Sequence, residues 1–212
     1  MFLLCGIGNI VFCYYLASIS CIERLAETQE NVNDQIVKQQ THIIDVLEKA
    51  DVLMAARVQN STRLLMKIGA ELGPRMMEGM INVNGVSAYN IYMGDKAQGN
   101  NFELVDGLTN IMDGTATIFS KTGLDFIRIS TNVIKENKRA IGTKLSHTGK
   151  AIDKINQGQA YYGKVHILGN PYLTYYAPLK DASGSKIGIW YVGYFADLAS
   201  TVHYIPLKAA GY

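Results

Sequence analysis

From Ser20 to about Leu72 the chain has no proline and a single glycine, Gly69, while apolar or small residues recur at Leu25, Val32, Ile36, Ile43, Leu47, Ala50, Met54, Val58, Ser61, Leu65 and Ile68. Steps of three, four and seven trace one stripe along a helix. At about 1.5 Å per residue, roughly 50 such residues make a rod on the order of 75 Å long, more than a small domain can cover. The half after Asp45 is expected to lie on a sheet of its own domain. The half before it, with "ETQENVNDQIVKQQ" polar on most faces, has a narrow apolar seam that needs a second helix. A homodimer through residues 23–73 supplies one most simply. "GPRMMEG" should stop the helix at Gly73-Pro74.

Residues 1–22, "MFLLCGIGNIVFCYYLASISCI", carry no charge, and about 20 apolar residues suffice to span a bilayer core. A membrane anchor is therefore expected here. A cleaved signal peptide would normally begin with basic residues and have a shorter apolar run; a buried core helix is the other alternative. Cys5, Cys13 and Cys21 all fall in this segment, so the rest of the chain works without disulfides or thiolate ligands. The formal net charge of +2 on 212 residues gives no reason to expect a nucleic-acid partner.

After Pro74 the period changes from helical to alternating. "VSAYNIYMGD" reads as a strand, "NFELVDGLTNIMDG" as a short helix, and "TATIFSK" with "LDFIRIST" as a hairpin turned at "KTGL". "TGKAIDKINQGQ" suits a further short helix. The strands "YYGKVHIL", "YLTYYAPLK" and "KIGIWYVGYF" close the domain, with turns at "GNP" and "DASGS". The fold class is α+β: a long N-terminal helix, then a PAS-like antiparallel sheet with short helices over residues 74–197, and a tail over 198–212.

Little in the chain suggests catalysis. His42, His147, His166 and His203 are scattered without metal-binding spacing, and "GIGNI" follows no strand, so neither a metal nor a phosphate-binding cofactor is implied. The informative residue is Arg128, a charge inside the alternating run "FIRIST". Strict alternation sets Phe126, Arg128 and Ser130 on one face and Ile127, Ile129 and Thr131 on the other. If the arginine face looks inward, the guanidinium needs an anion, because an unpaired buried charge costs several kcal/mol. An internal Asp or Glu, water at an exposed edge, or a ligand carboxylate held by the planar arginine fork could each supply it. Of 13 tyrosines, Tyr161, Tyr162, Tyr172, Tyr175 and Tyr176 crowd one stretch and Tyr191 lies just beyond. Such residues can wall a small polar pocket, since each buried ring carries a hydroxyl that seeks a partner. Alternation allows either Tyr172 and Tyr176 or Tyr175 to point inward, not both sets.

The ordered motifs "GTATIF", "RISTNV", "KRAIGT", "INQGQAYYG" and "LGNPYLTYYAPLKDASGSKIGIWYVG" resemble the single Cache sensor domains, of the fused Cache type, found in bacterial methyl-accepting chemotaxis proteins. The resemblance runs from about Leu104 to Gly193. It implies a periplasmic or extracellular, PAS-like sensor hung from the plasma membrane, not an enzyme, binding a small organic acid of the acetate or pyruvate class and passing a helix shift toward the membrane. Carried over residue by residue, it marks Arg128, Thr131, Asn132, Arg139, Tyr161, Tyr172 and Tyr175, with Arg128 as carboxylate partner and the loop from Asn132 to Thr143 as cover. Arg139 could either touch ligand or hold that loop by an ion pair. A chemoreceptor would continue past "YVGYF" into a second membrane helix and an output module, whereas here "ADLASTVHYIPLKAAGY" follows. The chain is then a fragment or an anchored sensor, and its output could equally be a histidine kinase or a cyclic dinucleotide enzyme. A membrane-tethered docking module without a metabolite, with Arg128 paired internally, is the contrasting reading.

Overall fold

A computed structural model of the chain describes residues 3–196, with side chains from Phe12 onward apart from Cys13. The expected tail, 198–212, lies outside the described residues, and so do most side chains of the expected anchor. Among the described residues no helix is long and apolar enough to cross a membrane. The chain divides into two units, residues 1–49 and residues 50 onward.

The first unit is helical throughout its described length, as part of helix α1 (Leu3–Glu71). Its apolar stripe is uncovered: Leu25, Val32, Ile36, Ile43 and Leu47 are 41–63% exposed.

In the second unit α1 runs on to Glu71 and is followed by β1 (Arg75–Val83), β2 (Val86–Met93), β3 (Lys96–Ala97), α2 (Glu103–Met112), β4 (Thr115–Thr122) and β5 (Asp125–Thr131). The short pair β6 (Ile134–Lys135) and β7 (Lys138–Arg139) comes next, then α3 (Lys150–Asn156), β8 (Tyr161–Ile167), β9 (Asn170–Lys180) and β10 (Lys186–Phe195). Five strands form the main antiparallel sheet in the order β5-β4-β10-β9-β8, and β1-β2-β3 form a separate small sheet. The long helix followed by an antiparallel sheet with short helices is the expected α+β, PAS-like arrangement. Strand β1 was not legible in "RMMEGMINV", where exposed methionines and Gly79 hide any alternation. Its pairing with β2, across a bulge between Met77 and Met80, makes it a strand.

Strands β5 and β10 are buried on both faces, which explains why they read as nearly continuous apolar runs, whereas edge strand β8 stays half exposed. One core lies between its first face and α1, α2 and β2; Val58, Leu65, Ile91, Leu108, Ile118, Ile129 and Trp190 belong to it. A second core lies on the other face, where Phe119, Phe126, Tyr176, Ile189 and Tyr191 meet Val133, Ala140 and α3 residues Ala151, Ile152 and Ile155. Strand β10 therefore presents Trp190 to the helix side and Tyr191 to the other.

The helix lies tightly against the sheet at Gly69. A Cβ there would sit 2.6 Å from Trp190 Cη2 and 3.2 Å from Met93 Sδ. Ala normally improves a helix by about 1 kcal/mol over Gly. Overpacking a fully buried tryptophan typically costs 1–3 kcal/mol, so the clash should win. Gly69→Ala is accordingly expected to lower the urea midpoint. An unchanged or higher midpoint would mean that Trp190 has room to move.

Candidate functional site

The second face of the main sheet carries a row of polar side chains. Cross-strand pairing aligns Thr131, Thr117, Tyr191, Tyr176 and Tyr161, one from each strand from β5 to β8. Directly paired residues on an antiparallel sheet point to the same side. Beside this row stand Arg128 and its partner Phe119.

Thr131 reaches this row through a bulge. Phe119 pairs with Arg128 but Ile118 pairs with Ser130, so β5 carries one extra residue between them. Ile129 and Ser130 both turn to the first face: Ile129 joins the core there, and Ser130 Oγ donates to Asn101 O at 2.5 Å. Thr131 is thereby delivered to the face of Arg128. Strict alternation had put Ser130 there and Thr131 opposite; the bulge exchanges them.

Arg128 is 5% exposed. Its Nη1 donates to Thr143 Oγ1 at 2.7 Å, and its guanidinium stacks over the Phe119 ring with 4.9 Å to the centroid. Nε is buried with no hydrogen-bond partner, and among the described residues no carboxylate lies within ion-pair distance of the guanidinium. No described Asp or Glu therefore neutralises it, and it does not stand at an exposed edge. Burial pushes the guanidinium below its ordinary pKa, while interaction with Tyr176 and Tyr191 works in the opposite direction.

The covering loop is fastened to Arg128 by its backbone. Arg128 N donates to Thr143 O and Gly142 N donates to Arg128 O, both at 2.9 Å. Gly142 has φ +78°, and a Cβ there would run into Val83 O, so the "RAIGT" turn requires glycine. Lys144 and His147 then bind Asp125 at 2.6 and 2.5 Å. The first of these, with the His147 contact second, holds the Asp125 carboxyl below its ordinary pKa.

The tyrosines divide into two groups. Tyr191 OH bonds Thr115 Oγ1 at 3.0 Å and lies over Gly193, where any Cβ would strike it; the Tyr161 hydroxyl lies over Gly163 in the same way. Tyr161 and Tyr191 flank Tyr176, with ring centroids 6.4 and 5.0 Å away. The hydroxyls of Tyr161, Tyr172 and Tyr176 make no hydrogen bond among the described residues. Burial raises the Tyr176 pKa to about 12, Arg128 opposing the rise and Tyr161 adding to it. Burial likewise pushes Tyr191 well above the ordinary phenol value.

Of the residues marked by sequence, Arg128, Thr131, Tyr161 and Tyr172 share this face. Asn132 caps the row's end: its Oδ1 accepts from Ala116 N at 2.8 Å and its Nδ2 donates to Gly114 O at 3.2 Å. Arg139 is engaged elsewhere. Its two terminal nitrogens grip Asp106 at 2.8 and 2.9 Å, and Nη1 also donates to Thr131 O, while the guanidinium stacks on Phe102 at 4.2 Å. This is the loop-holding ion pair, one of its two expected roles. Tyr175 packs against the first core, on the far side of the sheet from Arg128. Sequence reasoning gave no role to Tyr176, although its shared face with Tyr172 pointed to it, and could not single out Phe119.

The site is thus a buried cation on a PAS-like sheet, with no ion-pair partner among the described residues, beneath a loop bonded to its backbone. The chain matches the model of the Cache 3/Cache 2 fusion domain over residues 25–202 and belongs to that family, carrying a single Cache sensor domain. None of the curated proteins compared with it matches. Among solved structures, the sensor domain of E. coli DcuS is similar at 18% identity and a TM-score of 0.37, covering 47% of this chain and 68% of that one.

Because the folded state keeps Tyr176 protonated, it holds more protons than the unfolded chain between about pH 10 and 12. Stability is intact below pH 10 and falls as pH rises through that window. Alkaline unfolding followed by circular dichroism should be shallower in Tyr176→Phe than in the wild type. Identical slopes would show that Tyr176 titrates normally.

Proposed function

We propose that this Cache domain is the extracytoplasmic sensor of a chemoreceptor and binds a small monocarboxylate of the acetate or pyruvate class at Arg128. The observation that carries this reading is the buried guanidinium, whose one polar side-chain partner is the neutral Thr143 hydroxyl. A carboxylate set against Nε and Nη2 would use the donors the protein leaves idle. Tyr176 and Tyr161 then donate their hydroxyls, and Ile152, Ile155 and Val133 surround the short carbon tail.

We read the site as taking one negative charge: Arg139 is already engaged by Asp106, and Lys186 Nζ is already held by Ile155 O at 2.7 Å. With no acid beside Arg128, an α-ammonium group would also go unpaired, so amino acids are disfavoured.

The signal has a short route to the helix. Tyr191 lines the ligand face and Trp190, the preceding residue, presses on Gly69 of α1 from the other. A ligand that draws in the Tyr191 face would shift the helix by the 1–2 Å usual in such transitions. The uncovered stripe of the first unit fits a homodimer through that helix, with residues 1–22 as its membrane anchor.

With a ceiling near 1.5 kcal/mol per heavy atom, acetate yields at most about 6 kcal/mol and pyruvate about 9, so binding should be micromolar or weaker. The melting temperature of the purified chain should rise by several degrees at a hundredfold excess of ligand over its dissociation constant, worth about 2.7 kcal/mol. Arg128→Ala should fold and lose that response. If no two- to four-carbon monocarboxylate shifts the wild type, and Arg128→Ala unfolds, the arginine is structural and the chain is a docking module.

A further inference from the structure

Tyr175, placed on the first face, lines a cleft of its own. The cleft measures about 350 Å³ and is bounded by Arg63 and Met66 of α1 on one wall and by Tyr175, Ala177, Pro178 and Lys180 of β9 on the other. This is at the small end of ordinary ligand pockets.

Its charges are one-sided. Arg63 and Lys180 both line it, no acidic residue does, and neither cation has an ion-pair partner among the described residues. Neighbouring cations behave differently: Arg57 binds Asp113 at 2.9 Å, Lys67 meets Glu71 at 3.8 Å and Arg139 grips Asp106. The Tyr175 hydroxyl also makes no hydrogen bond among the described residues, though its ring packs on the first core. Met66, Ala160, Ala177 and Pro178 add apolar lining, and Gln59 and Thr62 add polar, uncharged groups.

We propose that this cleft is a second ligand site, distinct from the site read at Arg128, that takes a small organic dianion with an apolar spacer, such as a short dicarboxylate. Arg63 offers a planar fork to one carboxylate and Lys180 a point charge to the other, with the Tyr175 hydroxyl available as a donor. The hydrocarbon middle lies on Met66 and Pro178, where inorganic phosphate would leave apolar surface unused. Because one cation belongs to α1 and the other to β9, the bound dianion ties the helix to the sheet. The site would therefore set how freely α1 responds to the first ligand.

The test is calorimetric titration of the purified full chain, in detergent, with glutarate, inorganic phosphate and acetate as separate probes. Wild type and Arg128→Ala should bind glutarate alike, and Arg63→Gln/Lys180→Gln should bind it at least tenfold more weakly. Both changes in the double variant are at exposed side chains, and an unchanged acetate response in it would show that the fold and the first site survive. The proposal is overturned if glutarate fails to bind wild type, if its binding vanishes in an Arg128→Ala variant that circular dichroism shows to be folded, or if it persists in the double variant. Phosphate binding as tightly as glutarate would also overturn it, by showing bare attraction to surface cations. If acetate fails everywhere while glutarate behaves as expected, the Arg128 reading falls and this one stands.

Discussion

The second face of the main sheet has to accommodate one desolvated cation, Arg128. Folding strips water from Arg128 and returns a single polar side-chain hydrogen bond, from Nη1 to Thr143, together with the quadrupole of the Phe119 ring. Those contacts fall short of what a buried guanidinium loses, since removing an ion from water costs several kcal/mol even after relaxation. The surrounding structure has to make up the deficit, and it does so from both sides. The second core holds the face closed, and the loop through Gly142 and Thr143 is bonded to the backbone of Arg128 itself. A protein with no use for this charge could replace it with an apolar side chain of similar volume at little or no loss. Its retention is why we read the site as half of an ion pair.

The same sheet explains how occupancy of one face could be felt on the other. Strands buried on both sides have no idle positions, so Trp190 and Tyr191, neighbours in β10, serve opposite cores. The contact of Trp190 with Gly69 is tight enough that a Cβ would collide with it. The packing between sheet and helix leaves little slack at this point.

Much of this was legible in the sequence. The long helix announced itself through periodicity and the lack of proline, and the strands from "TATIFSK" to "KIGIWYVGYF" through alternation and turn residues. Arg128 stood out because a charge in such a run demands a reason. What stayed hidden were features set by register. The bulge at Ile129 and Ser130 moved Thr131 to the face of Arg128, and no local pattern in "FIRIST" records an extra residue in β5 relative to β4. The two faces of β9 look alike in "YLTYY", so only pairing across the sheet separates Tyr172 and Tyr176 from Tyr175. Arg139 and Asp106 stand 33 residues apart, too far for any spacing rule to join them.

The central claim is that Arg128 faces a ligand anion, and its idle Nε–H is the most direct reporter. In a nitrogen-15 spectrum of the purified chain in detergent, the Nε–H resonance of Arg128, assigned by its loss in Arg128→Lys, should move downfield as acetate is added and saturate with a single dissociation constant. A resonance that stays put while acetate reaches a large excess would mean that no carboxylate meets this guanidinium, and the account of the site would be wrong.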